Sequence, residues 1–580
     1  MRLDTRYIGK SGVTSSLDSS TLGLATNALR PQGFLSGELL ATETVREALA
    51  SLHGVVVSDL KRRPRDRLAW RVWLAEQDQK FLLGLKMKSA AAKLDLEKLE
   101  LSLAVLNDKR RLRLAPFHAA RRRYADYVVS NTNELNILYD PVVTVHPDEV
   151  FFEAFSKDES SYARVGVSRS LFGDGGDVVF GTTNIDFSKA LARHLERLRS
   201  YRKTRFDVGP GGVDVATDGV VHKEAKIELP ESWVNGFLQV QATMTMGLTW
   251  LNLAPIDLFN VLRALLAKKA RTSPKALRFE LRPGERVRVV LEPWELPIDL
   301  SSTYTPPSHA PDKAQSIRIW GRDRLKLLAR LLPQTKSVRV GLAGFGLPSF
   351  WVLDLGHVSF TLGLSGWTDN DWTGQADAQK SADGKTPTTA VRFELLTRRL
   401  DGSPEELMRI YEALKAPRVA ADVDVATAAG VTVERARSGL SCLSQVGRVT
   451  FDLASGRYRH RDLFFDAFTL AEAKKAASPS SSEAASPQAK LAQAIFDRDN
   501  ARIIARRPVP PDAERPGYKL SGSVKGAGNE VVRPQLHVDG DGNIVTGTCT
   551  CAFHREHTLT RGPCEHLLAL RLVHMAHHAL

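Results

Sequence analysis

Three of the four cysteines in this 580-residue sequence fall within its last forty positions, as Cys549-Thr550-Cys551, twelve intervening residues, and then Cys564-Glu565-His566. Three thiolates and one imidazole form a donor set that suits zinc, and four protein ligands fill a tetrahedral shell. A hydrolytic metal needs a vacant position for water, so the count predicts a closed structural centre and argues against zinc chemistry as the activity. Zn2+ is the expected cofactor, with Cys549, Cys551, Cys564 and His566 as its ligands. Two alternatives stay open: three unmetallated thiols, or substitution of one ligand by His554 or His557 from the intervening loop. A disulfide fits poorly, because Cys549 and Cys551 are too close along a strand for an easy bridge and one cysteine would be left over.

These donors need elements to aim them. Gln535 to Val538 and Asn543 to Thr546 flank Asp539-Gly540-Asp541-Gly542, which reads as a hairpin whose second strand runs into the cysteines. On a strand, residues two apart share a face, so Cys549 and Cys551 are expected to present both sulfurs while Thr550 turns away. After Gly562-Pro563, the apolar Leu567, Leu568, Leu570, Leu572, Val573 and Met575 mark a short helix with Cys564 and His566 at its start. His574, His577 and His578 read as the solvated end of that helix.

The spacing C-x-C, x12, C-x-H resembles the SWIM zinc finger, found in bacterial proteins, Swi/Snf-type helicases and Mutator-type transposases. The resemblance covers about forty residues, 530–580 at its widest. It implies zinc binding by the four matching positions and a role in binding DNA or protein, and it does not imply catalysis. Larger bacterial proteins of this kind are often encoded beside AAA-type ATPases and von Willebrand-type proteins, so a complex with such partners is the alternative expectation. Gly363-Leu364-Ser365-Gly366, with Trp351, Trp367 and Trp372 nearby, is loosely similar to a segment of those larger proteins; the tryptophans themselves read as packing residues.

A second motif precedes the finger. Ser403-Pro404-Glu405-Glu406 carries a Ser N-cap, Pro at the first helical position and Glu at the third, a capping box that starts a helix. Val423 to Ala429 and Val433 to Leu443 then read as two helices around a Gly430-Val431-Thr432 turn, followed by β-prone runs on either side of Ala454-Ser455-Gly456. The stretch 403–465 resembles winged-helix domains, in which the helix after the turn enters the DNA major groove. Arg435 and Arg437 on that helix, and Arg457 and Arg459 on the wing, are the expected nucleic-acid contacts, with Arg461 beside them. Protein–protein docking is the competing use of such a module. Cys442 on the same helix reads as a small core residue.

The net charge of +14 makes a polyanionic partner worth weighing. Lys61 to Arg67, Lys109 to Arg113 and Arg121 to Arg123 carry the densest positive charge, and nucleic acid or a merely solvated helical face would account for it equally well. DNA and a protein partner are therefore both candidates. No apolar run of about 18 residues occurs, so no membrane span is expected. The chain start lacks an apolar signal core, and cysteines are few, which together predict a cytoplasmic protein. Phosphate-loop, His-Glu-x-x-His and Gly-x-Ser-x-Gly signatures are missing, and a non-enzyme is expected. Gly173-Asp174-Gly175-Gly176-Asp177 reads as a surface loop.

The expected organisation is α+β and multidomain: a mainly helical basic region at 1–126 with a loose or partly extended lead-in to about residue 40, a central α+β region at 127–400, the winged-helix-like segment at 403–465, a disordered linker at 472–490, and a small ββα zinc finger at 530–580. A helix around Leu491 to Arg502 and a proline-rich Arg507 to Pro511 connect linker and finger. Gly374 to Pro387 is a second candidate for disorder.

Overall fold

The computed structural model describes most of residues 11–59 and 141–577, while 60–140, 210–230, 373–390 and several shorter stretches lie outside the described residues. The basic clusters at Lys61 to Arg67, Lys109 to Arg113 and Arg121 to Arg123, the 374–387 stretch and Trp367 therefore fall outside them. Met1–Lys61 and Leu138–Leu580 form one compact unit, mixed in helix and sheet.

Its centre is an eight-stranded antiparallel sheet ordered Thr249–Leu253, Ser337–Leu342, Ser349–Asp354, Val358–Leu364, Ser161–Ser168, Glu149–Phe155, Val142–Val145 and Gly181–Asn184. Glu149–Phe155 and Ser349–Asp354 are almost wholly buried, which explains why they read as continuous apolar runs without the alternation of a half-exposed strand. Helix Thr42–Val56 lies across this sheet and buries Val45, Ala48, Leu49, Leu52, Val55 and Val56, a spacing that puts one face inward. Helix Glu231–Met244 adds a second layer, with Trp233 and Phe237 stacked around Phe155 at 5.2 and 4.9 Å between ring centroids. Trp351 and Trp372 are core residues.

Among the described residues up to position 40, the loose or partly extended lead-in is strand. Ser19–Ala25 pairs in parallel with Lys203–Gly209, some 180 positions on, and Leu35–Leu39 pairs antiparallel with the other edge of that strand. Sheet pairing between segments so distant leaves no local signature, and the Ser/Thr-rich strand face hides the alternation. A four-stranded sheet ordered Leu296–Thr303, Arg286–Leu291, Leu277–Leu281 and Gln315–Ile319 completes the central region.

Helix Pro404–Lys415 begins where expected, with Ser403 Oγ accepting from the Glu406 N–H at 3.1 Å. Helices Asp422–Ala429 and Val433–Gln445 flank a turn in which Gly430 takes φ 64°, and hairpin Val449–Asp452/Arg457–His460 joins the short strand Val419–Ala420 in a three-stranded sheet. Cys442 is buried in the core of this module.

Both ends of the expected 472–490 linker are helical. Leu470–Ala477 buries Ala473 and Ala476 in the module's core, and Pro487–Asp497 starts at a Ser486 cap. Alanine-rich segments carry little hydrophobic signal, yet two buried methyl groups suffice to seat a helix on an existing surface. Arg507 to Val509 of the proline-rich stretch belong to a long strand, Ala501–Val509, paired with Gly517–Lys525 in a sheet that continues into Gln535–Asp539 and Ile544–Thr548. Ala501–Val509 is the sheet's edge, where a proline is tolerated because its missing N–H need not serve the ladder.

Candidate metal centre

The hairpin turn is held by the Asp539 carboxylate, which accepts from the Asn543 N–H at 2.8 Å and from its side-chain amide at 3.1 Å. Strand Ile544–Thr548 ends just before the cysteines, so their spacing is not a strand repeat. Cys549 follows the strand, exposed Thr550 turns outward, and Cys551 caps the short helix Ala552–His557, its Sγ accepting from the His554 N–H at 3.4 Å. Cys564 caps helix Glu565–Ala576 and His566 is its second residue. Two cysteines thus stand at helix starts, where unsatisfied N–H groups and the helix dipole favour thiolate.

The ligand atoms of Cys549, Cys551, Cys564 and His566 all lie within 4.8 Å of one another, and all four residues are buried. A tetrahedral shell with bonds near 2.3 Å separates its sulfurs by roughly 3.8 Å, so the group can hold a metal ion with little movement. Its electrostatics ask for one. Hydrogen bonds from Cys549 and Cys564 depress the Cys551 thiol strongly, whereas contact with Cys549 and Cys551, together with burial, pushes Cys564 far up. One thiolate forms readily and the last is opposed by like charge, a conflict that a divalent cation removes. Burial disfavours a charged His566, but the thiols of Cys549 and Cys551 overcome it and push its pKa up to about 10.

His554 and His557 stand outside the group of four. His554 is buried behind the ligands, and the His557 ring packs on Phe553 with centroids 5.0 Å apart. His574 is buried against Tyr518, with 5.3 Å between ring centroids, and is not part of a solvated helix end.

The centre is sewn into the body of the protein. The Arg392 N–H donates to the Arg561 carbonyl at 3.2 Å, and Gly562, at φ 95°, comes so close to the Arg392 backbone that an added Cβ would sit 2.5 Å from its carbonyl oxygen. Arg571 donates to the carbonyls of Leu395 and Thr397 at 3.0 and 3.3 Å. That segment in turn is held by helix Glu231–Met244, where Gln239 donates to Glu394 at 2.5 Å and accepts from the Phe393 N–H at 2.7 Å. None of these docking residues carries a motif; Gly562 before a proline is the one local hint of a tight approach.

The expected nucleic-acid contacts are differently placed. Arg435 forms a bidentate pair with Glu406, at 2.6 and 2.5 Å, so that the capping-box glutamate serves helix Val433–Gln445 instead of its own N-terminus. Arg437 holds Asp422 at 2.5 Å. Arg459 is buried and bound to Asp148, Glu149 and Asp452 at 2.9, 3.0 and 3.2 Å, while Arg457 is exposed. Arg461 pairs with Glu153 at 2.6 Å, both wholly buried, and Tyr162 donates to the same carboxylate at 2.7 Å. Arg164 bridges Glu149 and Asp452. The hairpin meant as a wing is therefore docked on the eight-stranded sheet, and helix Glu231–Met244 reaches it as well, through the Phe451 N–H that donates to Gln241 at 2.6 Å. Arginines on a module surface look alike in sequence whether they face solvent or a distant carboxylate.

No protein family matches this chain, and no curated protein does. Among solved structures, Proliferating Cellular Nuclear Antigen from Entamoeba histolytica aligns at 10% identity over 39% of this chain and 89% of its own, with a TM-score of 0.26. The PCNA of A. fulgidus bound to the C-terminal region of FEN-1 aligns at 9% identity over the same shares, again with a TM-score of 0.26. At that score neither likeness carries an argument about fold or function.

Proposed function

We propose that Cys549, Cys551, Cys564 and His566 hold one zinc ion as a closed structural centre, in a SWIM-type, non-enzymatic protein that associates with DNA. The observation that carries the zinc reading is the buried set of three thiols and an imidazole, all within 4.8 Å, with two of the thiols at helix starts. Zinc supplies charge neutralisation and a fixed tetrahedral node; the residues around it hold the finger against the 392–397 segment. Three helices followed by a hairpin at 403–465 support the winged-helix resemblance, and the +14 charge supports a polyanionic partner.

Metal analysis of the purified chain tests the centre. One zinc per chain is expected, lost in both Cys549→Ser and Cys564→Ser, with a fall in stability of at least about 4 kcal/mol because the ion holds a docked element. Full zinc retention in either variant overturns the ligand assignment. For DNA, affinity for a duplex should fall steeply between low and physiological salt; absent or salt-independent binding removes that half of the proposal.

A protein-interaction scaffold, with AAA-type ATPase or von Willebrand-type partners, is the second reading. The observation favouring it is the ridge on helix Pro255–Ala267, where Ile256, Phe259 and Leu266 are 54%, 46% and 57% exposed. A partner recovered in fixed stoichiometry after nuclease treatment, and lost in Phe259→Ser, is its expected signature.

A further inference from the structure

We infer that duplex DNA is contacted by the outer face of the C-terminal sheet, opposite the metal centre, through its phosphate backbone. This rests on the DNA-associated reading above and moves the contact away from the module at 403–465.

The two faces of this sheet have opposite characters, set by the register. On the inner face, Leu520, Val524, Leu536 and Val538 are buried, and helix Glu565–Ala576 packs so closely that a Cβ at Gly522 would lie 2.4 Å from Leu570. The zinc-centre helix therefore occupies that side. Residues of the opposite parity point away from it. Arg507 pairs with Lys519, Lys519 with His537, and His537 with Thr546; Arg502 pairs with Ser523, and Lys525 follows two positions along. Directly paired residues share a face, so these side chains form one outward surface.

That surface is cationic and uncommitted. Arg502, Arg507, Lys519 and Lys525 are exposed, and among the described residues Arg507, Lys519 and Lys525 have no ion-pair partner. Arg502 has only the loose, exposed Asp499 at 3.9 Å. Asp539, at the end of its strand, is bound to Asn543. Arg435, Arg437, Arg459 and Arg461 are each held by a carboxylate, which leaves Arg457 as the one exposed cation among the five arginines expected at 403–465, and the contrast with the set on this face is the reason to prefer it. Ser521, Ser523, Thr546 and Thr548 lie between and beside the cations, and hydroxyls with Arg and Lys are the usual donors to phosphate oxygens.

The chemistry also selects the form of nucleic acid. Single strands are held by bases stacked on aromatic rings, and among the described residues this face carries no Phe, Tyr or Trp: Tyr518 belongs to the inner side, where it meets His574, and the His537 ring is only half exposed. Contact should be to phosphates, strongly salt-dependent and indifferent to base sequence. The edge strand resists pairing with another chain, since the register break between Ile503 and Ala505 and the proline at 508 interrupt it.

The test uses the full-length, zinc-loaded chain and a mixed-sequence duplex, with affinity measured across a salt series. The variant Arg507→Ala/Lys519→Ala removes two outward cations without touching the core, and zinc content and melting temperature confirm that it is folded. Loss of affinity is expected, with the slope of log K against log salt reduced by about 2. Arg435→Ala/Arg437→Ala should leave both quantities unchanged. If the wild-type chain binds duplex but the sheet variant binds equally well, the inference falls and the DNA-associated reading stands. If the wild-type chain does not bind duplex, both fall.

Discussion

Arg461 and Glu153 show how much a single fully buried pair can commit. Both side chains are sealed from solvent, and Tyr162 shares the carboxylate. Removing one partner of a buried pair strands the other charge, which costs about 3–5 kcal/mol, while replacing both by apolar groups of like volume often costs little. Arg461→Met should therefore lower stability by that amount in denaturant titration, and Arg461→Met/Glu153→Leu should recover a large part of it. A single variant as stable as wild type would show that the hairpin is not anchored by this pair. The same logic applies to the candidate metal ligands, where three thiolates in one site would repel one another unless a cation shared their charge.

At the scale of elements, the segment that carries the candidate metal centre is a docked part of the fold. Its helix covers one sheet face, and Gly562 and Arg571 hold it to the 392–397 segment. Gly562 combines a φ of 95° with backbone contact, a position where a side chain is strained and also collides. Gly562→Ala should cost roughly 2 kcal/mol and speed hydrogen exchange in helix Glu565–Ala576 while zinc is retained. Unchanged exchange there would mean that the contact with Arg392 does not hold the finger.

Across the whole molecule, the module at 403–465 and the eight-stranded sheet share an interface rich in charge, and its pH response has a definite sign. His146 donates from Nε2 to the His460 carbonyl at 2.7 Å, and burial first, then Arg459, lower its pKa to about 3, against some help from Asp148. Burial lowers His460 as well, with Asp462 opposing and Arg418, Lys415 and Arg448 assisting. The unfolded chain binds these protons near pH 6.5 and the folded chain does not. Their contribution to stability is therefore complete above about pH 6.5 and is lost as pH falls toward 3. Asp148 and Asp452, both lowered, add a further loss only below about pH 4. Melting temperature should decline from pH 6.5 to 4, and His146→Gln should flatten the decline without abolishing it. Parallel curves for variant and wild type would remove His146 from the account.

What the sequence determined by itself is what local spacing can encode. The four candidate ligands sit within eighteen positions, so donor type and count point to a metal centre before any fold is known, and the cap at Ser403 marks a helix start because a cap bonds within its own turn. Even there, the geometry of the cysteines was legible only in outline, since a helix cap and a strand repeat can share the same spacing. Tertiary structure decided the rest. The parallel pairing of Ser19–Ala25 with Lys203–Gly209, the burial of Arg459, Arg461 and His574, and the docking of Gly562 on Arg392 all depend on partners distant in the chain. An arginine carries the same letter whether water or a buried carboxylate solvates it, and only the assembled fold supplies that carboxylate. For the same reason the outward cations of the C-terminal sheet became visible only when the strand register separated them from the face that helix Glu565–Ala576 covers.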